Sequence, residues 1–439
     1  MRITIITAGS RGDVQPYVAL GLGLKEAGHA VTLTAPVTFE GLVRERGLGF
    51  YPISLDPLGA VRRQLEKGDA NLFEFAWRTR GILAPVMRED LRAYMEACRG
   101  AEAIIYTPVG FLGYRIAAEL GVPNVGATYG PLLNPTRAYP CSFVPVPSGR
   151  LEVLAKGDNM SGSLGERLRK SVRGAYNRLS YPPSQQLLWQ FLRGPVNDTL
   201  RGGGLSPFPF RGPFEELSRA RGPVLNGWSR HVLPHPPDWD SRLEVTGYWF
   251  LDRPEDWRPP PGLADFIEAG SPPVSIGFGS MTGGGAEELT DTVVRALRLV
   301  GRRGVLVSGF GGFSNADLPD ELFKVEEVHH DWLFPRVAGA VHHGGAGTTA
   351  ASLRAGTPTV VVPFFADQSF WGARVAGLGV GALPIPRARL SAERLTEAIR
   401  QATTDAEMIE RARSLGEKIR AEDGVKRAVD AFHRLVVRA

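Results

Sequence analysis

Ile3-Thr4-Ile5-Ile6-Thr7 runs into Ala8-Gly9-Ser10-Arg11-Gly12-Asp13-Val14-Gln15-Pro16, and this stretch decides the fold. The first segment, β-branched throughout, reads as a buried strand, and Gly9 to Asp13 reads as the turn that follows it. A helix is expected next: Pro16 suits a first helical turn, Val18, Leu20, Leu22 and Leu24 supply apolar surface, and Gly28 suits a C-terminal cap. The strand Ala30 to Thr34 then completes a βαβ unit, which calls for a parallel sheet covered by helices.

Working outward, Ala103 to Thr107, the helical stretch Phe111 to Leu120 and the run Val122 to Ala127 continue the alternation. After Arg221 the chain changes character. His235-Pro236-Pro237 and Arg258-Pro259-Pro260-Pro261-Gly262 bracket a stretch rich in proline and tryptophan, read as a stiff connection over 235–262. Beyond it Val274 to Phe278, Gly304 to Ser308, Val337 to His342 and Thr359 to Pro363 read as short strands, separated by helices such as Glu287 to Val300 and Thr348 to Ala355. The expectation is an α/β protein: an N-terminal domain over 1–234 and a C-terminal domain over 263–439, each Rossmann-like and doubly wound, facing each other across a cleft. The last helix is free to pack back on the first domain.

A chain of 439 residues has room for two or three domains at about 150 residues each. With 43% hydrophobic and 22% charged residues, neither global disorder nor a fibrous repeat fits. The balance of 51 basic against 46 acidic residues is too small an excess to imply nucleic acid. Cys98 and Cys141 supply no disulfide framework and no metal-ligand cluster. No apolar run reaches the roughly 18 residues of a spanning helix, and Met1 to Asp13 lacks the features of a signal peptide, so a cytoplasmic protein is expected. One basic stretch stands out: Arg150 to Arg193 holds eight Lys or Arg against Glu152, Asp158 and Glu166, interleaved with Leu164, Leu168, Val172, Leu179 and Leu187. This pattern suits peripheral contact with an anionic membrane; the alternative is an apolar side packed on the domain with a solvated basic face.

Chemistry concentrates in His342-His343-Gly344-Gly345-Ala346-Gly347-Thr348-Thr349, at a strand-to-helix junction. Glycines let the backbone approach a ligand, and the helix start offers N–H groups and the positive end of its dipole, so a phosphate belongs there. His343 can add a hydrogen bond or a positive charge, and Thr348 or Thr349 a hydroxyl; the structural alternative is a tight turn beside a core histidine. No lysine follows the glycines, so this is no Walker loop, and neither domain carries GxGxxG, which disfavours nicotinamide chemistry. Next, Asp367 and Gln368 follow the strand Thr359 to Val362, where an adjacent carboxylate and amide suit the vicinal hydroxyls of a sugar. Asp367 as a plain helix N-cap is the alternative. Asp13 stands in the Gly-rich turn at the carboxyl end of the first strand, and its structural role there is to cap the helix that follows.

The run His342 to Gln368, continued by Phe370-Trp371-Gly372-Ala373-Arg374-Val375, closely resembles the donor signature of UDP-sugar-dependent glycosyltransferases. Gly9 to Pro16 resembles the N-terminal motif of the sterol 3-beta-glucosyltransferases and the related antibiotic glycosyltransferases. Ile276 to Met281, Asp331 to Pro335 and Leu383 to Pro386 extend the likeness, while Pro145 to Gly222 shows none. The resemblance implies the glycosyltransferase B fold and inversion without a metal ion or other cofactor. It implies donor contacts from Ser280, Val328, His343, Gly345, Gly347, Thr348, Asp367 and Gln368, with Val328 offering its backbone to uracil. It also implies Asp13 as catalytic base, with Gly12 in the acceptor-side loop. The expected partners are UDP-glucose and a lipophilic acceptor. Two alternatives stay open: a non-catalytic glycosyltransferase-like auxiliary protein and a nucleotide-sugar epimerase.

Overall fold

The structure, a computed structural model, describes residues 1–54, 72–143, 164–279, 285–309, 313, 318–364 and 367–437, with 72–84 and 164–170 described as helix backbone alone. Two compact units emerge: the first holds Met1–Cys141, Leu164–Leu251 and Asp423–Ala439, and the second is built on Asp252–Glu422.

The first unit carries β1 (Arg2–Ile6), β2 (Ala30–Pro36), β3 (Gly49–Ile53), β4 (Ala103–Tyr106), β5 (Asn124–Thr128), β6 (Val224–Asn226) and β7 (Leu243–Val245). They form one seven-stranded sheet in the order β3-β2-β1-β4-β5-β6-β7, parallel throughout. Because side chains alternate across a strand, the sheet feeds two cores. Ile3, Ile5, Leu33, Ile105 and Val125 pack with Val14, Tyr17 and Leu20 of the helix Arg11–Glu26 and with Phe432 of the helix Gly424–Phe432. Ile6, Ile53 and Ile104 pack instead with Leu91, Ile116, Trp189 and Val196. Gly23 permits the close approach of the C-terminal helix, since a Cβ there would stand 2.3 Å from Val425 Cγ1.

The second unit repeats the plan with β8 (Val274–Gly277), β9 (Gly304–Val307), β10 (Leu322–Val325), β11 (Gly339–His342) and β12 (Thr359–Val361). The order is β10-β9-β8-β11-β12, again all parallel. Its two cores also split by strand face, one around Val274, Ile276 and Leu306, the other around Val305, Val325 and Leu333. In each sheet the winding reverses between two neighbours, β1 and β4 in the first, β8 and β11 in the second. The carboxyl ends of strands at such a switch point are where doubly wound sheets take their ligands.

Two sequence expectations change. The stretch 235–262 is not all linker: Leu243–Val245 is the edge strand of the first sheet, and the first unit runs to Leu251. The first helix begins at Arg11 with Ser10 as N-cap, so Pro16 lies inside it and Asp13 within its first turn. Pro16 lacks the N–H that would bond the carbonyl four residues back, so the helix continues past it without that bond to Gly12 O.

Candidate functional site

The site of the second unit grows from β11. Its last residue, His342, is fully buried; its Nδ1 accepts from the Gly344 N–H at 3.0 Å, and its Nε2 faces Ser352 Oγ at 3.3 Å. Both ring nitrogens serve the fold. His343 is different: its Nδ1 is shut off from solvent and has no hydrogen-bond partner. The helix Ala346–Ala355 starts immediately after, with Gly345 as N-cap, no capping side chain and no acidic residue in the first turn. The first N–H groups of a helix have no partner within it, and this helix start meets the Nε2 edge of His343, whose Nδ1 lies toward Gly279. Gly347 opens onto space, a Cβ there finding nothing within 4 Å, and Thr348 beside it is half-buried. An anionic group suits this corner.

Burial pushes the His343 pKa down to about 4, so at neutral pH the imidazole offers a hydrogen bond and no charge. That narrows the sequence reading, which left both open. The positive character comes from the helix.

Glycines bring the neighbouring loops close. Gly279, at φ +62, follows β8, and a Cβ there would lie 3.6 Å from His343 Cε1. Ser280, the next residue, lies outside the described residues. Gly344, at φ +91, runs against Val361 and the backbone of Gln368, where a Cβ would come within 2.5 Å and 3.0 Å respectively. The His343 and Gln368 loops therefore touch, at the carboxyl ends of the paired strands β11 and β12.

Asp367 occupies the N-cap position of the helix Gln368–Gly377 but makes no capping bond; its Oδ2 accepts from the Trp371 indole N–H at 2.9 Å. The plain N-cap reading fails. Gln368 is buried, and its Oε1 accepts from the Phe364 N–H at 2.7 Å, so its carbonyl oxygen already holds the loop. Val328 buries its side chain in a core with Trp332, Leu333 and Phe334, which leaves its backbone as the group with chemistry to offer.

In the first unit, Asp13 stands beyond the end of β1, at that sheet's switch point. It is buried at 7% exposure, a costly place for a carboxylate without partners. Its Oδ2 accepts from the N–H and the Oγ of Ser10, both at 2.8 Å, and its Oδ1 accepts from the Tyr129 hydroxyl. Gly9, at φ +101, makes this possible, because a Cβ there would stand 2.7 Å from Oδ2. One oxygen thus performs the cap and the other faces Tyr129. Gly12 is exposed on the same turn. Tyr129 was invisible to sequence reasoning: it follows a short strand with no motif around it. Trp371 was legible, as part of the donor signature, but its bond to Asp367 was not.

Family models match both ends of the chain. Residues 3–119 match the glycosyltransferase family 28 N-terminal domain, and residues 312–431 match the erythromycin biosynthesis protein CIII-like C-terminal domain. Among solved structures, the glycosyltransferase of kitacinnamycin superposes with a TM-score of 0.68 at 20% identity, covering 99% of each chain. The fold is that of the two-domain glycosyltransferase B class. A sterol 3-beta-glucosyltransferase of Arabidopsis thaliana is 34% identical over 99% of this chain and 68% of its own length. Another, from Cryptococcus neoformans, is 35% identical over 99% of this chain, which spans only 27% of that relative's length. The chain belongs to the sterol 3-beta-glucosyltransferase family. The matched region takes in 145–222, where the sequence alone showed no likeness.

Proposed function

We propose that the chain transfers glucose from UDP-glucose to the hydroxyl of a sterol or similarly lipophilic acceptor, with inversion at the anomeric carbon. The acceptor oxygen attacks that carbon as Asp13 takes the hydroxyl proton. The bond from the anomeric carbon to the β-phosphate oxygen breaks, and UDP leaves with the electron pair. The helix start at Ala346–Thr348 and the His343 ring receive the growing negative charge, so the reading requires no metal ion or other cofactor. Asp367 and Gln368 take the sugar, the Val328 backbone the uracil, and Ser280 a second phosphate oxygen. The observation that supports the reading is an uncapped helix start with His343 Nε2 packed against its N-cap Gly345, and with the ring's Nδ1 unpartnered, in a chain matched along its length by sterol glucosyltransferases. An acceptor screen with UDP-glucose, read by mass spectrometry for the gain of one hexose, tests it. An auxiliary protein without activity would leave every acceptor unchanged, and an epimerase would alter the donor sugar without glycosylating anything.

We also infer peripheral contact with the cytoplasmic face of an anionic membrane. None of the described helices is long and apolar enough to cross a membrane. Over residues 171–179 of the helix Leu164–Leu179, Gly174 and Asn177 face the domain, Asn177 Nδ2 donating to Arg137 O at 2.9 Å, whereas Val172 and Leu179 are 63% and 68% exposed. Leu187, on the next helix Tyr181–Gly202, is 74% exposed. Exposed apolar side chains within a stretch of net positive charge suit a bilayer of anionic lipid, which is also where a sterol acceptor resides. The side chains of Arg167, Arg169 and Lys170 lie outside the described residues.

A further inference from the structure

Asp13 is held by more than its own helix. Its Oδ2 is fixed by two donors of Ser10 and its Oδ1 by the hydroxyl of Tyr129, a residue 116 positions away in the chain. Tyr129 is itself pinned from both sides. The Thr128 hydroxyl donates to Gly130 O at 2.9 Å, the Gly227 N–H donates to Thr128 O at 2.7 Å, and the Tyr129 ring tilts against that of Tyr17 with centroids 6.2 Å apart. Tyr17 in turn donates to Ala127 O at 2.9 Å and packs edge-on against Trp249. The phenol therefore sits on a rigid support, aimed at one carboxylate oxygen.

We propose that Tyr129 is a positioning residue for the general base: it fixes the plane of the Asp13 carboxylate and keeps it ionised inside a buried turn, so that the carboxylate is oriented for the acceptor hydroxyl. This rests on the reading of Asp13 as base. A general base works only within hydrogen-bond reach and in its deprotonated form, and a donor to the charged form secures both. Ser10 cannot do this alone, because its two donors share Oδ2 and leave rotation about the Cβ–Cγ bond resisted from one side. Two titratable groups of the described residues act on the carboxylate: Tyr129, from the end of β5, and Tyr17, on the same helix. Burial, then the Asp13 charge, hold the Tyr17 hydroxyl protonated, so it does not titrate in the working range.

The test compares Tyr129→Phe, Tyr17→Phe and Asp13→Asn with the parent, using UDP-glucose and the best sterol of the acceptor screen, with kcat and KM measured from pH 5 to 9. Tyr129→Phe keeps the ring and its packing. Its acid limb should move up by about 0.5 to 1 pH unit and its kcat should fall about tenfold, with the KM for UDP-glucose within twofold. Tyr17→Phe should lower the melting temperature without moving the acid limb. If Asp13→Asn is inactive while Tyr129→Phe keeps the parental acid limb and kcat, Tyr129 has no positioning role and the base assignment stands. If Asp13→Asn retains parental kcat, the base assignment falls and this inference with it.

Discussion

His343 Nε2 lies 2.6 Å from where the Cβ of any side chain at Gly345 would stand. The backbone of Gly345, at φ −59 and ψ 145, suits any residue, so glycine is required there by the imidazole and not by the chain path. Gly345→Ala should displace the ring from the helix start, and His343→Ala should remove it. Both should weaken UDP about tenfold, a loss of roughly 1.4 kcal/mol, with only a small change in melting temperature. Calorimetry with UDP decides it, and parental affinity in the His343 variant would remove the phosphate anchor.

The two ends of the donor should separate. Gln368→Ala leaves the helix start intact but removes the amide expected at the hexose, so it should weaken UDP-glucose more than UDP, by about tenfold against twofold or less. Because Gln368 Oε1 also holds the Phe364 N–H, its melting temperature should fall by a few degrees. Equal losses for both ligands would contradict the sugar assignment.

Much of this was legible before any coordinates. The β11 junction was read within two residues because it joins an apolar strand to a helix through glycines, whereas at β1 the strand was read but the helix starts at Arg11, inside the stretch taken for the turn. Strands such as Val224–Asn226 and Leu243–Val245 were missed, being three residues long and too short to show a period. The pairing of Asp13 with Tyr129 was missed for another reason: it is a tertiary contact between the first helix and the end of β5, and nothing local in either segment signals the other. The two adjacent histidines looked equivalent, and only burial and partners separate the structural His342 from His343.

Asp90 offers a pH signature in the first unit. Burial pushes its carboxyl up to about 6, against the Ser54 N–H and Oγ, whose donated bonds favour the ionised form. A carboxyl whose folded pKa exceeds its unfolded value binds more protons folded than unfolded, so its contribution to stability falls as pH rises from about 4 to about 6. Asp90→Asn removes that cost and keeps an acceptor for Ser54. Thermal melts should show parent and variant alike near pH 4, with the variant more stable above pH 6 by on the order of 1 kcal/mol. A variant less stable than the parent at pH 8 would overturn the sign.

The exposed apolar side chains Val172, Leu179 and Leu187 predict lipid binding. Vesicles containing phosphatidylserine should sediment the protein at low salt and release part of it at high salt, whereas neutral phosphatidylcholine vesicles should bind it weakly. Replacing Val172, Leu179 and Leu187 by serine should cut binding to anionic vesicles at least about fivefold while leaving the melting temperature unchanged, since all three are exposed. Identical binding by parent and variant would remove the membrane role from this face.

The central claim is transfer of a hexose, with Asp13 as its base. The most direct measurement incubates parent and Asp13→Asn with UDP-glucose and a panel of sterols, and follows glycoside formation by mass spectrometry together with UDP release. The account predicts a sterol gaining one hexose with the parent, UDP released in equal amount, and a rate at least about 100-fold lower for Asp13→Asn, which still binds UDP normally. No hexosylated product from any sterol, or an Asp13→Asn rate within a few-fold of the parent, would contradict it.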